Sequence, residues 1–384
     1  MGKKRSLRLY CVVMVLLLLA GCGNGAVNTD GDINAEQSTH SKETLTIYSP
    51  ATYRFAVQQV LSHINLAQTD FRVVWSEDLA SADVVITDHL PLEDHSKYRV
   101  LNTQKLQVQG IEDLMVFTDQ GTIGIPLFLQ LDCFWYDQLI YDHNGIPAPQ
   151  SLDSWQSCSL NGQYPVLCDQ KDMCALFWSI VAPYYLEYGG SIDALSKGDF
   201  EPEVLEEALL VLENMRDHEV IKLSDQAWQA FAENQAAYWV TGVDSVATYY
   251  NHMINPSSWR PSVSFPFYAQ ERAVCVIRAD VLAVRKTADT ELANRFLELF
   301  FKQQTMADLS AHSRMPLACH IYYAPEAVPE LSQVCYAVLS SPNVDVAQVP
   351  CVWGVGQPQQ VYDLLQDFMS GTMDAAEAAE QMTQ

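Results

Sequence analysis

The first regular alternation of apolar and polar residues begins at Thr44. Leu45 and Ile47 share one side of a strand that ends at Ser49 and Pro50. The period then changes: Tyr53, Ala56, Val57, Val60, Leu61 and Ile64 recur at helical spacing. Two further strands are expected, at Phe71–Trp75 and Asp83–Thr87. Strand, helix, strand in this order is a βαβ unit, so the chain opens on a parallel sheet of the α/β class. Such sheets hold ligands beyond the carboxyl ends of their strands, which makes Ser49, Tyr53 and Asp88 candidate positions.

Further along, Gly121–Pro126 reads as a turn and strand, and Phe128–Tyr136 as a second, strongly apolar strand. Pro147, Pro149, Ser151 and Asp153 mark a loop and a helix cap before Trp155. Gln170 to Gly190 is apolar and aromatic and predicts a buried helix. Pro202 opens a helix with Val204, Leu205, Ala208, Leu209, Leu212 and Met215 on one face. Ala227 to Val246 should hold a helix and then a strand ending at Gly242. A strand follows at Val274–Val284, then a helix at Asp289–Lys302 with Leu292, Phe296, Leu297 and Phe300 inward. Val361, Leu364, Leu365 and Phe368 define a late helix stopped by Gly371, and Asp374 with Glu377 caps a terminal one.

Ahead of all this lies a different kind of sequence. Lys3, Lys4, Arg5 and Arg8 precede an apolar run, Leu9 to Leu19, too short for a comfortable membrane span. Leu19-Ala20-Gly21-Cys22 then has the form of a lipobox. Residues 1–21 are therefore expected to be a lipoprotein signal peptide, with Cys22 as the lipidation site on the extracytoplasmic face of the cell membrane. Residues 22–43, poor in large apolar side chains, read as a flexible tether.

Composition sharpens this reading. At 384 residues the chain is long enough for about two domains. The formal net charge of −25 opposes binding to nucleic acid or anionic lipid and favours cationic partners modestly. Besides Cys11 and Cys22 there are Cys133, Cys158, Cys168, Cys174, Cys275, Cys319, Cys335 and Cys351, none in a CxxC pair. Cys158 and Cys168 could bridge across a short Asn-Gly turn, or these thiols could simply be buried. There is no glycine-rich phosphate loop, GxSxG elbow or HExxH helix, and the nine histidines are dispersed. No metal or cofactor is expected, and an enzyme reading is weakened.

From Thr44 onward the order of elements resembles the extracellular solute-binding proteins of ABC importers, of the maltose-binding type. The resemblance rests on Gly124-Ile125-Pro126 leading to Phe134-Trp135-Tyr136-Asp137, then Asn144-Gly145-Ile146-Pro147 and Ser151 to Trp155. Phe231-Ala232 to Gly242, Ala283 to Phe301 and Val361 to Ala379 continue it. Asp137 departs from it, standing where that family usually has Asn. The resemblance implies a two-lobed, periplasmic-binding-protein type II-like α/β fold with a hinged interlobe cleft. Lobe 1 would comprise residues 44–137 with 263–314, and lobe 2 residues 138–262 with 315–384. It also implies a monomer that carries a small molecule to an ABC permease, with sugar or oligosaccharide as the default ligand.

A narrower likeness is to secreted thiaminases of the pyridinylase type, which share this fold. It rests on Ile47-Tyr48, Val85-Ile86-Thr87-Asp88, Gly124-Ile125-Pro126 to Tyr136, Val243-Asp244-Ser245 and Ala279-Asp280-Val281. The position of that family's cysteine nucleophile falls on Gln130, and that of its base on Asp244. Cys133, three residues further along the strand, should point to the other face unless the strand is bulged. On this likeness the chain is a disarmed relative that could bind a cationic thiamine- or pyrimidine-like solute, or a C–N transferase using Cys133.

The expected cleft gathers Asp88, Gln130, Asp132, Asp244 and Asp280, with Tyr53, Tyr185, Trp239 and Trp353 as ring-stacking candidates. Several carboxylates in one cleft need either a cation or hydroxyls to satisfy them. Against this, each aspartate could merely cap a strand end, and each aromatic could merely fill the core. A receptor for transport and a sensor presenting its closed form to a membrane receptor remain equivalent at this level.

Overall fold

Strand β1 (Glu43–Tyr48) pairs in parallel with β2 (Phe71–Ser76) and β3 (Val84–Thr87), and helix α1 (Arg54–Ala67) connects the first two. This is the opening βαβ unit, with Ala56, Val57, Val60, Leu61 and Ile64 buried as the helical spacing requires. The computed structural model describes residues 43–106, 112–145, 165–250, 256–262, 273–318 and 329–384. The signal peptide, Cys22, the tether as far as Lys42 and the stretch from Pro147 to Trp155 lie outside the described residues; Glu43, expected to end the tether, belongs to β1.

The fold is mixed α/β, built on a sheet in the order β2, β1, β3, β10 (Ala273–Val284), β5 (Gly121–Asp137), β8 (Tyr238–Gly242), β6 (Val166–Asp169), β7 (Ile221–Ser224). Its centre is two long antiparallel strands, β5 (Gly121–Asp137) and β10 (Ala273–Val284). The first half of β5 pairs with β10 and with the short β4 (Val116–Thr118). Its second half turns to β8 (Tyr238–Gly242) and β9 (Trp259–Ser262). Beyond β8 lie β6 (Val166–Asp169) and β7 (Ile221–Ser224), both parallel to their neighbours. Strand β11 (Val344–Gln348) adds to the start of β10. One strand thus runs from one parallel half-sheet into the other.

The sequence predicted two strands where β5 is one. Pro126 has no N–H to give a ladder, yet the strand passes through it because the register with β10 shifts there, between Asp280 and Val281. Asp137, at the end of β5, accepts the N–H of Leu139 at 2.9 Å and so starts the next helix.

Helix α2 (Pro202–Asp217) buries Leu205, Ala208, Leu209, Leu212 and Met215, while Val204 is only half-buried. It packs on the helical run Cys174–Leu176, Phe177–Val181 and Ala182–Glu187, whose middle turn is a π-helix. The short helix α3 (Val243–Tyr249) follows β8 directly. Helix α4 (Thr290–Phe300) has the predicted inward face, and Asp289 caps it by accepting the Leu292 N–H. Helix α5 (Gln357–Met369) ends before Gly371 at φ +78°, and Asp374 caps α6 (Ala375–Met382). Strands β6, β7 and β11 were not predicted: β6 has no polar side, and β7 and β11 alternate over only four and five residues. Among the described residues no helix is long and apolar enough to cross a membrane.

The described cysteines are free thiols, buried except for the half-buried Cys174. Cys168 is among them, and Cys158 lies outside the described residues.

Candidate functional site

The carboxyl ends of β1, β3, β6, β8 and β11 face a common space bordered by the middles of β5 and β10. That space is a cavity of about 420 Å³. Strand β1 ends in Tyr48 and is followed by Thr52 and Tyr53; Asp88 and His89 follow β3, and Cys351 and Trp353 follow β11. Asp172, Cys174 and Trp178 follow β6, and Asp244 follows β8. Gln130 and Asp132 come from β5, Arg278 and Asp280 from β10. Each of these pairs is two residues apart, so the strand pleat turns both members to the same face.

Asp280, only 1% exposed, anchors the floor. Its Oδ2 accepts the Tyr53 hydroxyl at 2.6 Å and the Gln130 Nε2 at 2.6 Å, and Gln130 Nε2 also donates to the Tyr53 oxygen. Tyr53 is held in place by stacking on Phe128, with ring centroids 4.2 Å apart. Burial, together with the negative charges of Asp88 and Asp244, outweighs these hydrogen bonds and pushes the Asp280 carboxyl up to about 7.

Across the cavity Arg278 donates from Nη2 to Asp132 Oδ2 at 2.5 Å. Its guanidinium lies 4.3 Å from the centre of the Trp178 ring, and Trp178 stacks on Trp353 at 5.1 Å. Trp353 is fixed in turn by its indole N–H to the Leu195 carbonyl. Beyond Asp132, two carboxyls crowd together. Asp172 Oδ2 accepts the hydroxyls of Thr241 and Ser245, and burial followed by the charge of Asp244 raises it to about 8. Asp244 is raised as well, by burial and by Asp132, although it accepts the backbone N–H groups of its own residue and Ser245. Gly242 makes this crowding possible: a Cβ there would lie 2.5 Å from Asp244 Oδ1 and 3.0 Å from Asp132 Oδ1.

Asp88 differs. Burial works to raise it, but the hydrogen bond from His89 at 2.8 Å, the His89 charge and Arg278 prevail and hold it below its ordinary value. The same bond raises His89 against its own burial.

Tyr53, Asp88, Gln130, Asp132, Asp244, Asp280 and Trp353 all line this one cavity. Two stacking candidates are not. Tyr185 is buried in the second core with its hydroxyl accepting the Glu201 N–H, and Trp239 sits among Phe231, Tyr249 and Trp259 with its indole N–H on Asp169. Both fill the core, because large apolar rings on strand and helix interiors bury more surface than a cleft wall allows. Cys133 also points away from the cavity, among the Cys275 and Cys335 thiols, and burial pushes it well above its ordinary value.

Sequence reasoning missed Arg278, Trp178, His89 and Asp172. For Arg278 a signal existed: it stands two residues before Asp280 on a strand otherwise apolar from Ala273 to Ile277. Asp172 had none, since β6 itself was not legible.

No family model and no curated protein sequence matches the chain. Its architecture, in contrast, is that of the two-lobed periplasmic binding proteins, as comparison with solved structures shows. The GacH receptor of Streptomyces glaucescens, solved unliganded and with acarbose, superposes with a TM-score of 0.68 at 13% identity. The match covers 89% of this chain and 97% of that one. A probable secreted solute-binding lipoprotein from Streptomyces coelicolor gives 0.68 at 14% identity, over 90% and 98% of the two chains. Maltose-bound MalE3 of T. maritima gives 0.69 at 12% identity, over 88% and 98%. At such identities the likeness establishes the fold.

Proposed function

We propose that this chain is an extracytoplasmic solute-binding protein that captures one small molecule in the cavity between its half-sheets. The observation that carries this reading is the cavity itself. It lies beyond the carboxyl ends of five strands, is of ligand size, and is lined by hydrogen-bonding side chains held in place by neighbours. The half-sheets act as the cores of two lobes, residues 44–137 with 263–314 and 138–262 with 315–384, which close on the solute by hinge motion about the crossing strands. The closed form is then read by an ABC permease, or by a membrane receptor if the protein serves as a sensor. The sugars named for GacH and MalE3 belong to those proteins, and they support the idea that a cleft of this architecture accepts a polar solute.

The thiaminase-like alternative finds no support at its key position. Gln130 lines the cavity where a nucleophile would be needed, and Cys133 does not reach it. The two thiols that do, Cys174 and Cys351, are pushed up to about 12 by burial, so neither is a thiolate at neutral pH.

A thermal-shift panel tests the capture reading. A solute at about a hundredfold its dissociation constant adds roughly 2.7 kcal/mol, enough to move the midpoint by several degrees. At least one solute should do so at one-to-one stoichiometry and be recovered unaltered; recovery of a cleaved or exchanged product would instead make the chain an enzyme. Anchoring is tested separately. Cys22→Ala should abolish labelling by a fatty-acid precursor and shift the protein out of the membrane fraction, and persistent labelling would remove Cys22 as the lipidation site.

A further inference from the structure

The charges of the cavity do not balance, and the imbalance identifies the class of solute. Arg278 and His89 are the basic residues among those lining it. Each is already matched, Arg278 with Asp132 and His89 with Asp88. Asp172, Asp244 and Asp280 are left with neutral donors only: hydroxyls, an amide and backbone N–H groups. Lys171, adjacent to Asp172 in sequence, points instead to the Tyr249 hydroxyl. Three carboxyls in one largely desolvated space do not all ionise readily: Arg278 acts on Asp244 as well but is engaged by Asp132, and among the described lining residues no further cation is left to balance all three.

A metal ion does not meet this need. Among the described residues no trio of His, Cys, Asp or Glu is placed to hold one. The carboxyls come from β10 and from the segments after β6 and β8, so a frame with more than one donor suits them. The wall also shows how a flat cation can be held there, since the Arg278 guanidinium rests on the Trp178 ring.

Accepting the capture reading above, we propose that the solute is a small organic cation with N–H donors, a protonated amine or a cationic nitrogen heterocycle, seated among Asp172, Asp244 and Asp280. Asp280 stands on β10 and the Asp172–Asp244 pair follows β6 and β8, so the cation bridges these elements and joins the two half-sheets when it binds. In the empty cavity near neutral pH, Asp172 and Asp280 hold protons for part of the time, because burial first, and the charge of Asp244 among others, raise them to about 8 and about 7. The arriving positive charge lowers both, and protons leave as it binds. The charged groups facing these carboxyls are Asp244, Asp132 and Asp169 around Asp172, and Asp88 and Asp244 around Asp280. A neutral sugar supplies no charge and gives no such release.

The test is isothermal titration near pH 7.5 in phosphate and in Tris, whose ionisation enthalpies differ. Spermidine, agmatine, thiamine and glucosamine serve as cations, maltotriose and raffinose as neutral sugars. We expect at least one cation to bind with release of roughly one proton. Asp244→Asn should weaken it roughly tenfold to a hundredfold, the cost of removing one member of a desolvated charge pair. Binding of maltotriose or raffinose in preference to every cation, without proton exchange, overturns the cation and leaves solute capture standing. Failure of all six probes to bind overturns both.

Discussion

Raising the pH from about 5 to about 9 should destabilise the unliganded protein by on the order of a few kcal/mol, and Asp172→Asn should remove much of that loss. Asp172 is pushed up to about 8 by burial first and by Asp244 next; Asp280 reaches about 7 for the same kind of reason. Asp244 is raised too, and His89 is held above its ordinary value by Asp88. For all four groups the folded chain keeps a proton to higher pH than the unfolded chain does. Their contribution is complete below the ordinary values and is lost as pH rises through the folded ones, so every one of them acts in the same direction. Each unit of displacement corresponds to about 1.4 kcal/mol before any relaxation of the site. Asparagine keeps an acceptor for the Thr241 and Ser245 hydroxyls while removing the charge. Urea denaturation at a series of pH values reads the effect. A flat stability profile across that range, or an Asp172→Asn curve that follows the wild type, would show that the carboxyls are not strained by one another.

The second large effect is expected at Arg278. Its side chain is 15% exposed and that of Asp132 is 9% exposed, so the pair is largely withdrawn from water. Arg278→Met should cost about 3–5 kcal/mol, because Asp132 is left as an uncompensated buried charge. The loss should deepen at alkaline pH, where Asp172 also ionises. Adding Asp132→Asn should recover a good part of it, since the orphaned charge then disappears. Arg278→Lys should rescue incompletely: an ammonium restores the charge but not the planar contact with Trp178. Chemical denaturation of the single and double variants gives the coupling directly. If Arg278→Met costs less than about 1 kcal/mol, the pair behaves like an exposed one and its role in the cavity is wrongly assigned.

Much of the architecture was legible because its elements each bury a single face. The opening βαβ unit, α2, α4 and α5 all show apolar residues at the period of the element they form, and the structure buries most of them, with Val204 and Leu364 half-buried. Elements that carry little alternation were not legible. Strand β6 is buried on both faces, with Val166, Leu167, Cys168 and Asp169 all enclosed, so it has no polar side to mark its period. The π-turn at Phe177–Val181 has no local signature at all, yet it carries Trp178 to the cavity.

The same distinction governs the site. Strand-end aspartates could be proposed from sequence because ligands of α/β sheets lie beyond the carboxyl ends, and a strand end is a local feature. Which of them share a space is not local. Asp172 and Asp244 repel one another because parallel strands β6 and β8 pair, at Val166 with Tyr238 and onward, and bring their following loops together. Likewise Asp132 meets Arg278 across β5 and β10, from parts of the chain far apart in sequence. Tyr185 and Trp239 had the composition of ligand-stacking residues and became core, since nothing in a ring's identity states which side of a helix or strand will be covered. By itself, then, the sequence determined the α/β class, the amphipathic faces and an acidic set of strand ends, all consequences of short-range periodicity. Only the tertiary structure decided which carboxyls go without a counter-charge, because electrostatic pairing depends on distance through space and on exclusion of water, and both arise when the half-sheets assemble.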